Sequence, residues 1–408
     1  MTTRKTNVMF IQGQPDFGAD SMIHSILMRH LDRHQYQVYA AANRGDSGKE
    51  AASFKVLEKI PNLHIRPTHF GPSTYFRSPV AVARDTISSF PPAMLSLSSL
   101  VIYVRKHKID ILHGTQKPRD AFYGVILSRL TGAKMLIHIH VGVDLNWMKP
   151  ITQQWAMHQA DALVGVSEFV SETAREAGFD PRKIYSVPNS LDLSDWDATD
   201  PNSVRREFGI AVGTPIMLIV SRINPYKGHE ILLRALAHLK QQRNLNDFKL
   251  LIVGTDDRSS TPGGISYTGV IRALIADLQL DEHVIFTGYR SDIRNLMAGS
   301  DIYTMPSYKE PFGVVYIEAG AMGLPVISLN NGGTPEVVQH GITGFLSEPG
   351  NIDELATNLH LLLGDRELRQ RMGEAGRKRV ERVLNPTNMA QQMHQVYQQV
   401  LQRDTIRG

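Results

Sequence analysis

The 408-residue chain contains no cysteine. That absence excludes disulfide bonds, thiolate metal sites and a cysteine nucleophile, so any catalysis has to use other side chains. The sequence also lacks an apolar run long enough to cross a bilayer, and its first ten residues show no signal-peptide pattern. We therefore expect a cytoplasmic protein.

Positive charge is unevenly distributed along the chain, whose net charge is +4. Residues 1–190 hold 22 Lys and Arg against 15 Asp and Glu, whereas residues 191–408 hold 22 against 25. The basic first half fits an acidic acceptor or an anionic membrane surface, although ordinary solvated charge is the simpler explanation. A long helix is predicted over 80–107, with a break near 90–92. This helix, with its basic end, could pack on the core or make peripheral contact with a membrane. No motif indicates a nucleic-acid partner.

Strands and helices alternate through both halves, which predicts α/β architecture with parallel sheets covered by helices on both faces. The length requires two domains of roughly 200 residues. We place an N-terminal domain at 1–187, a linker rich in Asp, Ser and Pro at 188–201, a C-terminal domain at 202–385, and a last helix within 386–408 that is a candidate to cross back to the first domain. The first loop, 13–20, has two glycines but no GxGxxG pattern, so a dinucleotide site is unsupported. The helix that follows, predicted over 21–31, has Ser21 or Asp20 as its candidate N-cap.

The stretch 305–327, MPSYKEPFGVVYIEAGAMGLPVI, organises the second half. It reads as strand, loop, helix and strand, and ligands of open α/β sheets bind at such loops. Glu310 lies in the loop and Glu318 in the helix, with backbone amides near Gly313 and Val314 free to face an anion. Two acids around helix-start amides suit a nucleotide-sugar, with the diphosphate on the amides and hydroxyls on the acids. The alternative of equal weight is two acids with no shared task.

A second loop, SRINPYKG at 221–228, follows the first strand of the C-terminal domain. Its Arg222 and Lys227 are expected at the same edge of the sheet as Glu310. There they would neutralise a diphosphate and stabilise it as a leaving group. A solvated basic loop is the less favoured alternative.

The second half carries a set of motifs in a fixed order: Arg222, Lys227-Gly228, Gly254, Gly288-Tyr289-Arg290, Pro306-Ser307, Glu310-Pro311-Phe312-Gly313, Glu318-Ala319 and Gly332-Gly333-Thr334-Pro335-Glu336. Taken in order, these motifs resemble the retaining GT-B glycosyltransferases of family 4, strongly over 188–365 and more weakly over 1–187. The resemblance implies two Rossmann-like, doubly wound domains facing a cleft, with a nucleotide-sugar donor on the C-terminal domain and an acceptor on the N-terminal one. It implies transfer of a sugar to a hydroxyl of a glycan, lipid or small molecule, in polysaccharide or glycolipid biosynthesis, without a cofactor or metal.

The resemblance also implies a role for each matching residue. Arg222 and Lys227 would hold the diphosphate, and Glu310 the sugar hydroxyls. The amides of Phe312 and Gly313 would line the sugar pocket, the amide of Val314 would meet a phosphate, and Glu318 would bind the ribose. Gly288, Tyr289 and Arg290 would lie near the base. Gly18 belongs to the family's glycine loop, but Gly18-Ala19-Asp20 stands where Gly-Gly-x-Glu is common.

His140 matches the family's cleft histidine, which would bond the donor sugar or tune proton transfer. Without that match, a packed histidine at a strand end is the better interpretation. His138 and His113 are weaker candidates for the same place. We do not expect these three to bind a metal, because no carboxylate stands beside them at ligand spacing. Two other functions stay open: a nucleotide-sugar epimerase of the same architecture, and a non-catalytic nucleotide-sugar binding protein.

Overall fold

Runs of buried aliphatic residues form two parallel sheets, one in each of two compact units. The computed structural model describes residues 4–45, 51–70, 94–146, 148, 150–196, 200–243, 245, 247–258, 261 and 264–403. The predicted helix segment 80–93 and parts of the predicted irregular region 44–80 lie outside these ranges. Among the described residues, no helix is both long and apolar enough to cross a bilayer. Contact of the first unit with a membrane surface stays a prediction.

The first unit comprises Met1–Asn189 and Pro386–Gly408. Its seven strands lie in the order β3-β2-β1-β4-β5-β6-β7, and all neighbouring pairs are parallel. The strands are β1 Thr6–Gln12, β2 Tyr36–Ala42, β3 His64–Pro67, β4 Ile111–Thr115, β5 Lys134–Ile139, β6 Ala162–Gly165 and β7 Ile184–Ser186. The helices are α1 Ala19–His30, α2 Ala52–Leu57, α3 94–106, α4 Pro118–Thr131, α5 Trp155–Gln159 and α6 Glu168–Glu176.

The second unit comprises Ser190–Asn385, with strand order β10-β9-β8-β11-β12-β13, again all parallel. Its strands are β8 Ile216–Val220, β9 Lys249–Val253, β10 Val284–Gly288, β11 Ile302–Thr304, β12 Val326–Leu329 and β13 Gly344–Ser347. Its helices are α7 Ser203–Phe208, α8 His229–Arg243, α9 Tyr267–Asp277, α10 Ile293–Ala298, α11 Val314–Ala321, α12 Thr334–Val337, α13 Ile352–Gly364 and α14 Arg366–Arg382.

Both sheets therefore contain the Rossmann strand order, which confirms the predicted fold class of two doubly wound domains. In such a sheet the strand order reverses between two neighbouring parallel strands, and ligands bind outside the carboxyl ends of the strands at that point. The reversal lies between β1 and β4 in the first unit and between β8 and β11 in the second. These two places locate the candidate sites.

The last helix, α15 at Pro386–Gln402, lies in the first unit. Its Tyr397 hydroxyl lies 2.6 Å from His113 Nδ1, and its His394 Nδ1 lies 2.6 Å from the Tyr36 hydroxyl. Tyr36 is the first residue of β2, and His113 lies within β4. The helix thus closes one face of the first sheet with residues that follow the whole second unit in the chain.

One local prediction was wrong. Helix α1 begins at Ala19 with Gly18 at its N-cap, so neither Ser21 nor Asp20 caps it, and the Asp20 carboxylate pairs with Lys117 at 2.5 Å. The boundary between the two units falls within the segment 188–201, which was predicted as a linker, and its part from Ser190 onward belongs to the second unit. Within that part Asp192 caps a short 3-10 turn, Leu193–Asp195.

Candidate active site

Two loops pack together at the carboxyl ends of β8 and β11. The Tyr308 amide donates to the Tyr226 carbonyl at 2.8 Å, and Ser307 Oγ lies 3.0 Å from the same oxygen. Gly228 makes this approach feasible, because a Cβ there would lie 1.9 Å from the Pro306 carbonyl oxygen and φ is +76°. The position thus requires glycine for space and for conformation.

Lys227 and Glu310 form an ion pair across these loops. Lys227 Nζ lies 2.7 Å from Glu310 Oε2, and the side chains are 20% and 12% exposed. Ser307 Oγ lies 3.1 Å from the same carboxylate oxygen. Parallel strands deliver both residues to one edge of the sheet, so the structure brings together the acid and the cation that the sequence placed in separate loops.

Two glycines pack against the backbone of the Glu310 loop. The Gly333 amide donates to the Glu310 carbonyl at 2.8 Å. A Cβ at Gly333 would lie 2.2 Å from the Pro311 carbonyl oxygen, and one at Gly332 would lie 2.5 Å from the Glu310 carbonyl oxygen. Because they have no side chains, the two glycines after β12 let their backbone lie in contact with the backbone of the Glu310 loop, which fixes the position of that loop.

Helix α11 starts immediately after this loop with no side-chain cap. Its N-cap, Gly313, has φ +88°, and a Cβ there would lie 2.2 Å from the ring of Tyr316. Tyr316 is buried and donates from its hydroxyl to the Met305 carbonyl at 2.8 Å, which ties the helix start to the end of β11. The Tyr316 amide donates to the Gly313 carbonyl at 2.9 Å, whereas the amides of Val314 and Val315 have no acceptor within the helix and suit an anion. Phe312, just before the cap, is buried.

Glu318 lies one turn further along α11 and is half-buried. Burial raises the pKa of its carboxyl to about 7, with no opposing hydrogen bond from the described residues. A carboxylate in such surroundings gains from hydroxyl donors, since they replace the water it has lost. A ligand that offers hydroxyl groups would satisfy it.

Arg222 lies at the same sheet edge and pairs with a residue that follows the neighbouring strand β9. Its guanidinium lies 2.7 Å from Asp257 Oδ2, and the arginine side chain is 68% exposed while that of the aspartate is 7% exposed. Asn224 Nδ2 lies 3.3 Å from the same oxygen. Asp257 was not predicted from the sequence: it follows β9, but nothing in its sequence position indicates that it pairs with Arg222.

The remaining predicted donor residues lie at the end of the edge strand β10. Gly288 ends that strand with φ +72°, and its carbonyl accepts from the Gly254 amide at 2.9 Å. Tyr289 is 77% exposed, so its ring is available for stacking. Arg290 is paired with Asp292 at 2.8 Å and with Glu207, and these hydrogen bonds raise its pKa further. Its guanidinium is therefore already engaged by carboxylates of its own unit.

In the first unit, the glycine loop packs on the carboxyl ends of β1 and β4. The Gly13 amide donates to Asp120 Oδ1 at 3.0 Å, and Thr115 Oγ1 donates to Asp120 Oδ2 at 2.8 Å. Burial raises the pKa of Asp120 to about 6, against the lowering effect of the Thr115 bond. Gly18 lies at the far end of this loop as the N-cap of α1.

His140 follows β5 in the same unit. Its amide donates to Gln116 Oε1 at 3.1 Å, and its Nε2 is buried with no hydrogen-bond partner among the described residues. Burial, then the neighbouring His138 and His24, hold its pKa well below the usual value. The imidazole is therefore neutral near pH 7. His113 and His138, also named from the sequence, are fully buried beside it.

Comparison with known proteins decides the family. Residues 201–379 match the family model "Glycosyl transferases group 1", and residues 25–195 match the model "Glycosyltransferase Family 4". The chain belongs to glycosyltransferase family 4. The resemblance stated from the motifs is thereby confirmed for this glycosyltransferase, and the match extends through both units.

The family 4 enzyme has relatives that differ in substrate. It is 28% identical over 350 residues to N-acetyl-alpha-D-glucosaminyl L-malate synthase of Bacillus anthracis, which covers 84% of this chain and 88% of the relative. It is 29% identical over 318 residues to a GDP-mannose-dependent alpha-(1-6)-phosphatidylinositol monomannoside mannosyltransferase of Mycolicibacterium smegmatis, covering 74% of this chain and 79% of the relative.

A solved structure supports the same fold for this glycosyltransferase. HepE of Anabaena, crystallised with UDP and glucose, superposes with a TM-score of 0.74 at 22% identity and covers 97% of this chain and 100% of HepE. At that identity the likeness establishes the GT-B fold alone.

Proposed function

We propose that this family 4 glycosyltransferase moves a sugar, with retention of the anomeric configuration, from a nucleotide-diphosphate sugar to an acceptor hydroxyl. The observation that carries the proposal is the Lys227–Glu310 ion pair beside the uncapped start of α11, at the point where strand order reverses. A cation, an acid and free amides within one crevice match the parts of a sugar diphosphate.

The donor we propose lies along this crevice. Its diphosphate meets Lys227, Arg222 and the Val314 amide, and the sugar hydroxyls bond Glu310 above the amides of Phe312 and Gly313. The ribose bonds Glu318. The base lies near Gly288 and Tyr289, while Arg290 shapes that end through its carboxylate pairs instead of touching the base directly.

The chemical step we propose is attack from the face that the diphosphate leaves. The acceptor oxygen forms a bond to the anomeric carbon as the bond to the diphosphate oxygen breaks, and the hydroxyl proton passes to that departing oxygen. Lys227 and Arg222 stabilise the charge that develops there, which replaces the role of a metal ion. A double displacement would need a carboxylate about 3 Å from the anomeric carbon on the other face. Glu310 is held away from that role by Lys227 and Ser307.

The acceptor we propose carries negative charge. Residues 1–190 have seven more basic than acidic side chains, and the names of two relatives include L-malate and phosphatidylinositol, both anionic. Electrostatic attraction of this kind raises the rate of encounter and weakens with salt. The roles of His140 and Gly18 in the first unit stay predictions.

A donor-consumption assay tests the function. UDP-, GDP- and ADP-sugars are first ranked by the shift of the thermal midpoint, and release of nucleoside diphosphate from the best donor is then followed with and without carboxylate- or phosphate-bearing polyols, with neutral polyols as matched controls. We expect release only with an acceptor, strongest with the anionic ones, unchanged by added Mg2+ or Mn2+, and an NMR coupling constant that shows retention. Sugar isomerisation without an acceptor would indicate an epimerase, and binding without turnover would indicate a non-catalytic protein.

A further inference from the structure

Four histidines from three elements meet inside the first unit. His24 comes from α1, His113 from β4, and His138 and His140 from β5 and the residue after it. The ring centroid of His24 lies 4.7 Å from that of His113 and 5.4 Å from those of His138 and His140. His24, His113 and His138 are 0% exposed. The sequence could not connect His24 to the others, because it lies almost ninety residues before His113.

The ring nitrogens are spaced for a shared ion. One nitrogen from each of His24, His113 and His138 lies within 4.8 Å of the other two. His113 Nε2 and His138 Nδ1 are 3.3 Å apart. In a tetrahedral site with Zn–N bonds of about 2.0–2.1 Å, two ligand nitrogens are separated by about 3.3 Å. Two of the three nitrogens thus already have the spacing that an ion requires, and the third lies within 4.8 Å of both.

Two of the rings also have a partner on the opposite nitrogen. His113 Nδ1 lies 2.6 Å from the Tyr397 hydroxyl, and His24 Nδ1 lies 2.6 Å from the Gln12 side-chain amide. A histidine that binds a metal usually donates its other N–H to such an acceptor, which fixes the ring and its tautomer. Tyr397 can accept as it stands, and Gln12 accepts after its amide is turned over, since the oxygen and nitrogen ends are equivalent in shape.

The competing explanation is a hydrogen-bonded core. One N–H between His113 and His138 would account for their 3.3 Å contact. It would leave Nε2 of His24, His138 and His140 buried with no hydrogen-bond partner among the described residues. An ion held by Nε2 of His24 and, as a fourth ligand, Nε2 of His140 would give two of these three atoms a partner, and buried polar atoms are nearly always paired. Burial keeps the pKa of each ring low, so the imidazoles are neutral and their lone pairs are free for a ligand.

We propose that His24, His113 and His138 bind one divalent transition-metal ion of the zinc type. An all-imidazole set without thiolate or carboxylate suits Zn2+ and its neighbours better than Mg2+ or Ca2+. The fourth position is taken by Nε2 of His140 or by water. Asp20, one turn before His24 on α1, is the acidic side chain whose charge acts on that histidine. The ion joins α1 to β4 and β5 and so stabilises the first sheet.

Metal content of the full chain, produced without a polyhistidine tag, tests the inference. The protein is stripped by dialysis against a chelator, loaded with ZnCl2, desalted and analysed by mass spectrometry. We expect about one zinc per chain, a higher thermal midpoint with Zn2+, and, with CoCl2, the intense visible absorption of tetrahedral Co2+. His24→Gln and His138→Gln should each weaken binding on the order of 100-fold or more. His283→Gln is the matched control, since His283 is also buried but lies in the second unit.

Less than a tenth of an equivalent of zinc in the wild type, or an octahedral Co2+ spectrum, would overturn the proposal. So would equal loss of binding in His283→Gln, or full binding in both cluster variants. The cobalt spectrum uses the wild-type chain, so the test stands even where a cluster variant fails to fold. Nucleotide-sugar turnover is a separate readout, and its absence would leave the metal result unaffected.

Discussion

At the scale of single residues, the second unit depends on a half-buried ion pair. Lys227 and Glu310 together cost less to bury than either would alone, because each compensates the lost hydration of the other. A bound sugar diphosphate can then interact with Lys227 and hydrogen-bond Glu310 with little further desolvation cost, because both charges are already partly removed from water in the free protein. The site is therefore preorganised.

Glu310→Gln keeps the shape of the side chain and removes its charge. We expect turnover to fall on the order of 100-fold, because the sugar is no longer held in its reactive position. The thermal midpoint should change by only a few degrees, since the amide oxygen still accepts from Lys227 and Ser307. Steady-state kinetics and a thermal scan measure both. Glu310→Ala, which leaves Lys227 unpaired, should lose more stability. Equal loss of turnover and stability in the Gln variant would make Glu310 structural.

Glu318 should make stability depend on pH. Its folded-state pKa is about 7 against an ordinary value of 4.5, so the native state holds the extra proton between these limits. Stability contributed by the neutral acid is then lost as pH rises from about 4.5 to about 7. Glu318→Gln should be more stable than the wild type by about 1–3 kcal/mol at pH 8 and similar to it near pH 4. Thermal scans at the two pH values check this, and a constant difference would contradict it.

The same substitution should weaken donor binding, which separates function from stability. A position that improves stability when it is neutralised is a typical functional residue. Isothermal titration with the best donor gives the change in affinity, and Glu367→Gln, which changes an exposed acid on α14 of the second unit, serves as the comparison.

Residues of this kind were predictable to different degrees. Lys227 and Glu310 each follow a strand in the sequence, so the rule for parallel sheets sufficed to place them at one edge. Asp257 was not predicted, because a carboxylate after β9 gives no sign that it pairs with Arg222 in the loop after β8. His24 was beyond reach, since its partners depend on how α1 rotates against the sheet.

At the scale of elements, the site rests on close backbone contacts made through glycine. We expect Gly228→Ala to abolish donor binding, because its methyl group would overlap the Pro306 carbonyl and separate the two loops. The loss of stability should exceed about 3 kcal/mol, from the clash together with the strain of φ +76°. The thermal midpoint and donor titration measure the two effects.

Gly209→Ala provides the control for that experiment. Gly209 has φ +63°, but a Cβ there has no atom within 4 Å among its surroundings. It should cost about 1 kcal/mol of strain and leave donor binding intact. If both variants behaved alike, conformation alone and not the contact with Pro306 would explain the requirement for glycine.

The central strands of both sheets were predictable, and one edge strand of each sheet was not. Strands such as Ile216–Val220 and Lys249–Val253 are continuous apolar runs, because they are covered on both faces. The edge strands β3 and β13 have four residues each and were missed, since HIRP and GFLS show no periodic pattern long enough to separate a strand from a loop. The helix ends were also hard to predict: Gly18 is the N-cap of α1, whereas the predicted capping residue Asp20 pairs with Lys117.

At the scale of the whole molecule, the first unit is assembled from two separated parts of the chain. Removing 386–408 should expose the buried faces of Tyr36 and His113 and destabilise the first unit, while the second unit stays folded. Hydrogen exchange of each unit in the shortened chain tests this prediction. Removal of 404–408 alone is the control and should change little. Exchange that rises equally in both units would contradict it.

That arrangement has a consequence for biosynthesis. Domains usually fold in the order in which they leave the ribosome. Here the first sheet emerges early but lacks its final covering until residues 386–402 have been translated, so the second unit has its full sequence available sooner. The nascent protein must keep an incomplete hydrophobic surface out of contact with other chains for the time needed to translate almost two hundred residues, and premature termination in the last helix would leave that surface uncovered.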